Sequence, residues 1–199
     1  MLYFRHHTGE FFMTENNPIA AMRREDRRIG DTAEIHALLA RADIGFLATV
    51  SGDQPLVTPY SFWFDGKRIY FHGAKKGQSK EIMQQNPRVC FTVAERGRYL
   101  PAERAMDFSV EFASVMVFGT GRMVESQAEQ IYALQGLMDK YFPHLKPETD
   151  YEPITKKDLR PTGVYAIDIE TMSGKRKAAP DHPHTGRLRA FFSPEDVTE

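Results

Sequence analysis

Apolar residues recur in short, closely spaced segments along the chain, and this pattern predicts a fold built mainly of strands. Each segment is rich in β-branched and aromatic residues, which favour extended backbone. The segments span residues 44–50, 55–64, 67–72, 88–93, 110–124 and 162–172. Because tight turns join the first three, the pattern indicates a small antiparallel barrel and not a doubly wound parallel sheet.

Glycine and proline positions indicate where the predicted strands turn and where their pairing stops. Asp65-Gly66 separates two of the segments and is typical of a tight hairpin turn. Pro55 and Pro59 cannot donate ladder hydrogen bonds, so part of their strand should lie at an edge or a bulge. Gly119 and Gly121 predict a bulge or bend in the long fifth strand.

The first of three predicted helices begins after Asp31. Asp31 and Glu34 have the spacing of a capping box. The apolar residues that follow repeat at helical spacing and predict one buried face, made of Ile35, Leu38, Leu39 and Ala42. His36 falls outside this stripe and is expected to face solvent.

Two further helices are predicted from their end signals. Ser79 is the expected N-cap of a short helix that ends before Pro87. Ser126 and Glu129 form a second capping box, which heads the third helix. The predicted apolar face of that helix consists of Ile131, Leu134, Met138 and Tyr141.

The remaining segments predict loops and termini outside the barrel. Residues 96–108 and 143–161 are expected to cross the surface without strands or helices. The chain therefore divides into a flexible arm at 1–21, a barrel domain at 22–175 and a basic tail at 176–199.

Composition restricts the classes of function. The chain has 199 residues, 41% of them hydrophobic, which fits one globular domain and argues against global disorder. Its 26 Lys and Arg balance 27 Asp and Glu, which argues against a nucleic-acid-coating protein. No apolar run approaches the roughly 18–20 residues that span a bilayer, and Arg5 and Glu10 interrupt any signal-peptide core. The single cysteine, Cys90, excludes an internal disulfide, so a cytoplasmic location is expected.

Several common site motifs fail in this sequence. Gly119-Thr120-Gly121 lacks the third glycine of a dinucleotide-binding fingerprint, and no GxSxG elbow of a hydrolase occurs. His182 and His184 could in principle hold a metal ion, but prolines surround them and no third ligand lies nearby. We therefore expect no metal site.

The stretch FHGAKKGQSK at residues 71–80 carries the strongest chemical signal. Backbone N–H groups at a helix start, a hydroxyl and lysine ammonium groups suit a phosphate, while a solvated basic loop is the alternative. The preceding strand places small polar groups beside aromatic rings at residues 58–62, as a flat heteroaromatic cofactor requires. For Phe62 and Trp63, a place in the core is the favoured interpretation.

These residues resemble the flavin-binding split-barrel superfamily, specifically the pyridoxamine 5′-phosphate oxidase-like branch that includes nitroimidazole-resistance proteins. The resemblance rests on MRREDR, on YFHGAKKGQSK followed by NPRVCF, and on ASVMVFGTGRMVE. It implies a mainly β (α+β) fold, namely a six-stranded antiparallel split barrel with flanking helices. It also implies a homodimer with FMN at the subunit interface.

The resemblance also implies roles for individual residues. The residues expected to line the isoalloxazine ring are Thr58, Pro59, Tyr60 and Ser61. Those expected near the ribityl chain or ring are His72 and Gly73, those near the phosphate are Lys75, Ser79 and Lys80, and Ser114 is expected to contact FMN from the partner subunit. His72 is the candidate catalytic residue, because an imidazole can donate a proton near neutral pH. The alternative for His72 is that it only orders the cofactor loop.

The implied function is that of an FMN-dependent oxidoreductase, including nitroreductase-like reduction of a small molecule with a nicotinamide cofactor as electron donor. The Arg-Lys pair of the true oxidases reads Ser79-Lys80 here, and GRLRAFF offers no clear equivalent of their C-terminal arginine and tryptophan. This departure argues against oxidation of pyridoxamine phosphate. The alternative is a protein that binds flavin, haem or another small ligand without turnover, and nucleic-acid or membrane partners are not expected.

Overall fold

The computed structural model describes residues 20–179, and the elements within that range are mainly strands. The strands are β1 Arg28–Ile29, β2 Ile44–Ser51, β3 Gln54–Phe64, β4 Arg68–Ala74, β5 Arg88–Leu100, β6 Ser109–Met123 and β7 Thr162–Lys177. The helices are α1 Thr32–Arg41, α2 Gln78–Gln85 and α3 Gln127–Tyr141. Most of the predicted arm, and the predicted tail beyond Ala179 with His182 and His184, lie outside the described residues.

Six long strands close into an antiparallel barrel, which confirms the predicted fold. The strand order is β1-β7-β4-β3-β2-β5-β6, and an additional pairing of β7 with β6 closes the ring. The two-residue strand β1 adds a seventh member by pairing with the end of β7.

The barrel is split because the β2–β3 hairpin joins the other strands along two short seams. β3 meets β4 over three residue pairs, and β2 meets β5 over another three. In contrast, β6 and β7 run together from Phe112↔Lys177 to Met123↔Tyr165. The hairpin therefore diverges from its neighbours beyond the seams and leaves a cleft.

Local sequence signals account for the turn, the free edge and the bulge. Asp65 Oδ1 accepts hydrogen bonds from the N–H groups of Lys67 and Arg68 at 2.7 Å each, and Gly66 adopts a φ of 92°, which confirms the predicted hairpin turn. Pro55 and Pro59 lie where β3 pairs only with β2, as predicted for an edge. The predicted bulge occurs between Phe118 and Gly119.

The barrel interior is filled by aromatic and aliphatic side chains. Phe62, Phe71 and Phe91 are fully buried, and the rings of Phe62 and Phe91 meet edge to face at 4.9 Å. α1 packs on this core through the predicted stripe, and Asp31 caps the helix by accepting from the Ala33 N–H at 2.8 Å. The core position expected for Phe62 is thus confirmed.

Three local predictions about strands and caps need correction. Residues 96–108 are not all loop, because β5 continues to Leu100, whose buried side chain holds the strand end. Ser79 is not the N-cap of α2, since Gly77 takes that position with a φ of 145° that suits glycine. β7 extends to Lys177, two residues into the segment predicted as the tail.

The buried faces of two helices also differ from prediction. α3 buries Gln130, Ala133, Gly136 and Leu137, whereas the predicted stripe residues are only half-buried. Gly136 is buried because Trp63 lies against it, so close that a Cβ there would come within 2.2 Å of the indole ring. His36 is half-buried and not solvent-facing, because its ring packs edge to face on Phe64 at 5.0 Å.

We predict that Gly136→Ala destabilises the protein, although alanine is the better helix former. The new methyl group would collide with Trp63, so the free energy of unfolding should fall by roughly 1–3 kcal/mol. Urea unfolding followed by circular dichroism measures this loss. Gly30→Ala is the matched control, because its Cβ would meet no atom within 4 Å; equal stability changes in the two variants would contradict the prediction.

Candidate functional site

The candidate site lies where β3 and β4 separate. Their last pair at this end is Phe62↔Phe71, so Ser61 and His72 are the first residues of the diverging backbones. Both are exposed. The two arms of the β3–β4 hairpin therefore place Ser61 and His72 at the mouth of the cleft.

The main chain of β3 leaves an unpaired edge at this cleft. The Tyr141 hydroxyl accepts from the Phe62 N–H at 2.9 Å and donates to the Asp43 carbonyl at 2.6 Å, so the main chain of Phe62 faces β2. Since main-chain groups alternate along a strand, those of Ser61 and Pro59 face the opposite edge. Within residues 20–179, no strand pairs with that edge before Phe62. The Pro59 carbonyl and the Ser61 N–H are thus available to a ligand.

The side chains of the four predicted ring-binding residues alternate between two environments. Pro59 and Ser61 are exposed, whereas Thr58 and Tyr60 are half-buried. Tyr60 packs on Phe71 with ring centroids 4.5 Å apart and so contributes to the core.

The end of β4 is fixed from inside the barrel. Phe71 stacks on Tyr165 at 5.3 Å, and the Tyr165 hydroxyl donates to the Ala74 carbonyl at 2.7 Å. Burial raises the pKa of Tyr165, so the hydroxyl remains a donor near neutral pH. This contact holds the turn that follows His72 and Gly73.

Positive charge collects between β4 and α2. Lys75 is half-buried, Lys76 is exposed, and neither forms an ion pair with a carboxylate in the described part of the chain. Ser79 and Lys80 lie in the first turn of α2, directly after Gly77. The backbone therefore brings the three predicted phosphate-binding positions into one turn of chain, whose unpaired N–H groups favour an anion.

Ser114 does not join the other predicted residues within one chain. It lies on β6 and pairs with Ala94 of β5, whereas Ser61 pairs with Ile44 of β2. Three strand spacings along the curved sheet therefore separate Ser114 from Ser61.

Lys140 and Tyr141 support the site, and sequence reasoning missed the lysine. Lys140 Nζ donates to the Ala42 carbonyl at 2.7 Å and lies 3.7 Å from the centroid of the Phe62 ring. With Tyr141 bound to Asp43 and Phe62, the last turn of α3 fixes the end of β3 at the mouth of the cleft. The apolar stripe in the sequence identified Tyr141 as a packing residue of α3, and this was the only signal for a supporting contact at this end of the helix.

The described residues were compared with the requirements of a metal site and of a membrane-spanning helix. No group of three or more His, Cys, Asp or Glu side chains within residues 20–179 could hold a metal ion. None of the helices in that same range is long and apolar enough to cross a membrane.

We predict that Lys140 makes stability depend on pH in the alkaline range. Burial lowers its pKa from 10.5 to about 8, although Asp43 opposes the shift. Between about pH 8 and 10.5 the unfolded chain holds this proton while the folded chain has lost it, so the free energy of unfolding rises with pH. Because Lys140 is only half-buried, solvent screening limits the gain to about 1 kcal/mol or less.

Lys140→Met isolates this effect. Urea unfolding of both proteins from pH 7 to 10 should show the stability of the wild type rising relative to the variant, with most of the change above pH 8. A difference that stays constant across this range would rule out the shifted lysine.

Solved structures of three bacterial proteins share this fold. A flavocytochrome of Azotobacter vinelandii has a TM-score of 0.70 and 22% identity, covering 88% of this chain and 82% of that chain. A Bacteroides thetaiotaomicron protein named for 5-nitroimidazole antibiotic resistance has a TM-score of 0.62 and 24% identity, covering 75% of this chain and 86% of that chain. An FAD and haem binding protein of Mycobacterium smegmatis has a TM-score of 0.68 and 20% identity, covering 80% of this chain and 80% of that chain. At these identities the similarity shows the fold alone.

Sequence comparison assigns the family. No curated protein sequence matches the chain. A family model described as pyridoxamine 5′-phosphate oxidase matches residues 31–176, which is more than half of the chain and includes both sides of the cleft. The chain therefore belongs to the pyridoxamine 5′-phosphate oxidase family.

Proposed function

We propose that this protein is an FMN-dependent oxidoreductase that reduces a small molecule in the manner of a nitroreductase. One observation carries the proposal: the unpaired edge of β3 faces a cleft whose other side presents His72 and a lysine-bearing turn. The solved relatives named for flavin support a flavin in this fold.

The residues at the cleft fit the chemistry of FMN. The polar edge of the isoalloxazine ring would bind the Pro59 carbonyl and the Ser61 N–H, which no strand of the described chain occupies. Its phosphate would bind the turn containing Lys75, Ser79 and Lys80, through backbone N–H groups and ammonium charge. We favour FMN over FAD because the lysines gather at a single turn, which suits one phosphate.

The roles of the remaining residues follow from this arrangement. Bound FMN supplies the redox chemistry, and the protein supplies position and proton transfer. His72 is exposed at the cleft mouth and would donate a proton to the substrate as it is reduced. Gly73 lets the chain pass close to the cofactor because it carries no side chain. We further propose NADH or NADPH as the electron donor.

An exposed apolar face supports a homodimer. Ile44, Phe46, Val57 and Met116 are each more than 40% exposed, and their pairing places them on one face of β3-β2-β5-β6. Such a face in a water-soluble domain is typical of an interface. A second copy on it would cover the face and could bring its own Ser114 to the FMN of the first. The single cysteine supports a reducing, cytoplasmic environment for this dimer.

We predict that the purified protein is yellow and that NADH or NADPH bleaches it until a nitroaromatic acceptor restores the colour. Lys80→Ala should weaken FMN binding by about 1.5–3 kcal/mol, or roughly 10- to 150-fold, through loss of a charged hydrogen bond. Lys67→Ala, in the β3–β4 turn, is the matched control. Fluorescence titration with FMN and with FAD measures both affinities.

Other outcomes of this experiment would assign other functions. A yellow protein reduced only by dithionite would be a flavin-binding protein without turnover. A colourless protein that takes up haem and refuses both flavins would overturn the proposal.

We predict that Phe46→Lys dissociates the homodimer, because an ammonium group would be buried in an apolar interface. Light scattering after size-exclusion chromatography should give twice the mass of one chain for the wild type and a single chain for the variant. Phe142→Lys is the matched control, since Phe142 is 45% exposed, against 43% for Phe46, but lies at the end of α3 outside that face. Dissociation by both variants, or by neither, would contradict the predicted interface.

A further inference from the structure

Four basic side chains gather on one face of the sheet where β7 ends. Phe112 of β6 pairs with Arg96 of β5 on one side and with Lys177 of β7 on the other, so the three side chains project from the same face. Lys175 shares that face, because it precedes Lys177 by two residues. The Arg27 guanidinium and the Lys175 ammonium lie 5.9 Å and 5.8 Å from the centre of the Phe112 ring. We call Arg27, Arg96, Lys175 and Lys177 the β7 basic cluster.

Carboxylates within residues 20–179 do not neutralise the β7 basic cluster. Arg96 donates to the Tyr99 hydroxyl and Lys177 to the Ser109 hydroxyl, and none of the four cations forms an ion pair in this part of the chain. Other arginines take the acidic side chains nearby, in the pairs Arg24–Asp26, Arg28–Glu25, Arg41–Glu95 and Arg98–Glu111. Like charges that share a small area repel one another, so the cluster favours an anionic ligand.

The β7 basic cluster is separate from the lysine-bearing turn between β4 and α2. That turn follows Ala74, which pairs with Thr162 at the start of β7, whereas Lys175 lies near the other end of the strand. The strand between Thr162 and Lys175 is roughly 40 Å long. One phosphate therefore cannot contact both places within one chain.

The charge and the residue types of the cluster indicate a small ligand with more than one phosphate. Guanidinium groups bind phosphate oxygens through paired N–H groups, and lysines add compact positive charge. A phosphate monoester carries about 1.5–2 negative charges near neutral pH, so two such groups, or one together with a diphosphate bridge, match four cations. All four cations surround one ring, whereas a nucleic-acid strand would need a longer basic stripe.

We propose that the β7 basic cluster is a second anion site and that it binds a nucleotide with two separate phosphate positions. Lys175 pairs with Ser114, and Met116, two residues farther along β6, belongs to the exposed apolar face. A ligand held here would therefore border the interface at which FMN is proposed to bind. The anion site rests on the cluster alone. That its ligand is the electron donor, with NADPH preferred over NADH for its additional phosphate, rests on the proposed function.

The test is isothermal titration calorimetry of the purified protein at low salt with 2′,5′-ADP, which carries two phosphate monoesters and no nicotinamide. Lys175→Gln and Lys177→Gln should each weaken binding roughly tenfold, because each removes one charged contact. Lys175→Arg keeps the charge and should retain most of the affinity. Lys156→Gln is the matched control, since Lys156 is an exposed lysine in the connection that leads to the opposite end of β7. Binding by the wild type should also weaken as salt is added.

The outcomes separate this inference from the proposed function. Weaker binding in Lys175→Gln and Lys177→Gln, with unchanged FMN content, supports the anion site. No binding by the wild type, or wild-type affinity in both variants, overturns it even when the protein is an active reductase. Loss of FMN together with the nucleotide would also overturn it, because the cluster would then belong to the cofactor phosphate.

The preference for NADPH has its own readout. In an active reductase, Lys175→Gln should raise the KM for NADPH more than the KM for NADH, and equal increases would refute the preference. A protein that binds 2′,5′-ADP through the cluster but is reduced by neither donor would keep the anion site and refute the proposed reductase.

Discussion

Closure of the barrel through β7 is the constraint that fixes the position of the cleft. β7 pairs with β6 on one edge and with β4 on the other, so three of the six long strands form a continuous sheet. The β2–β3 hairpin completes the ring through two short seams. Pro59 cannot donate a ladder hydrogen bond, which favours an open edge of β3 beside Pro59 and Ser61.

An open seam needs support from outside the sheet, and the last turn of α3 provides it. Tyr141 joins Phe62 of β3 to Asp43 before β2, while Lys140 joins the same region to the end of α1. Burial raises the pKa of Tyr141, and hydrogen bonds from Phe62 and Ser61 oppose that shift, so the hydroxyl lies within a polar cluster at the cleft. The backbone that would hold a flavin edge is therefore kept in place by a helix on the other face.

Local signals in the sequence explain why so much of the fold could be predicted. Asp65-Gly66 and Pro59 act through their own backbone geometry, and their effects need no knowledge of distant residues. The face of α3 could not be predicted in the same way, because Gly136 and Gln130 are buried only where Trp63 and the Val124 carbonyl meet them. The candidate site divides similarly: His72 and the lysine turn follow from a contiguous motif, whereas the role of Lys140 depends on α1 and β3 meeting in space.

His72 borders both the cleft beside β3 and the cavity beside α3. Its place at the end of β4 is set by the three-pair seam, and its imidazole faces the cavity that α3 and the connection to β7 enclose. A residue buried within the sheet could reach only one side, but the split leaves this one exposed between a polar main-chain edge and an apolar pocket. In the proposed function, this opening would let the His72 side chain face a flavin on one side and the cavity beside α3 on the other.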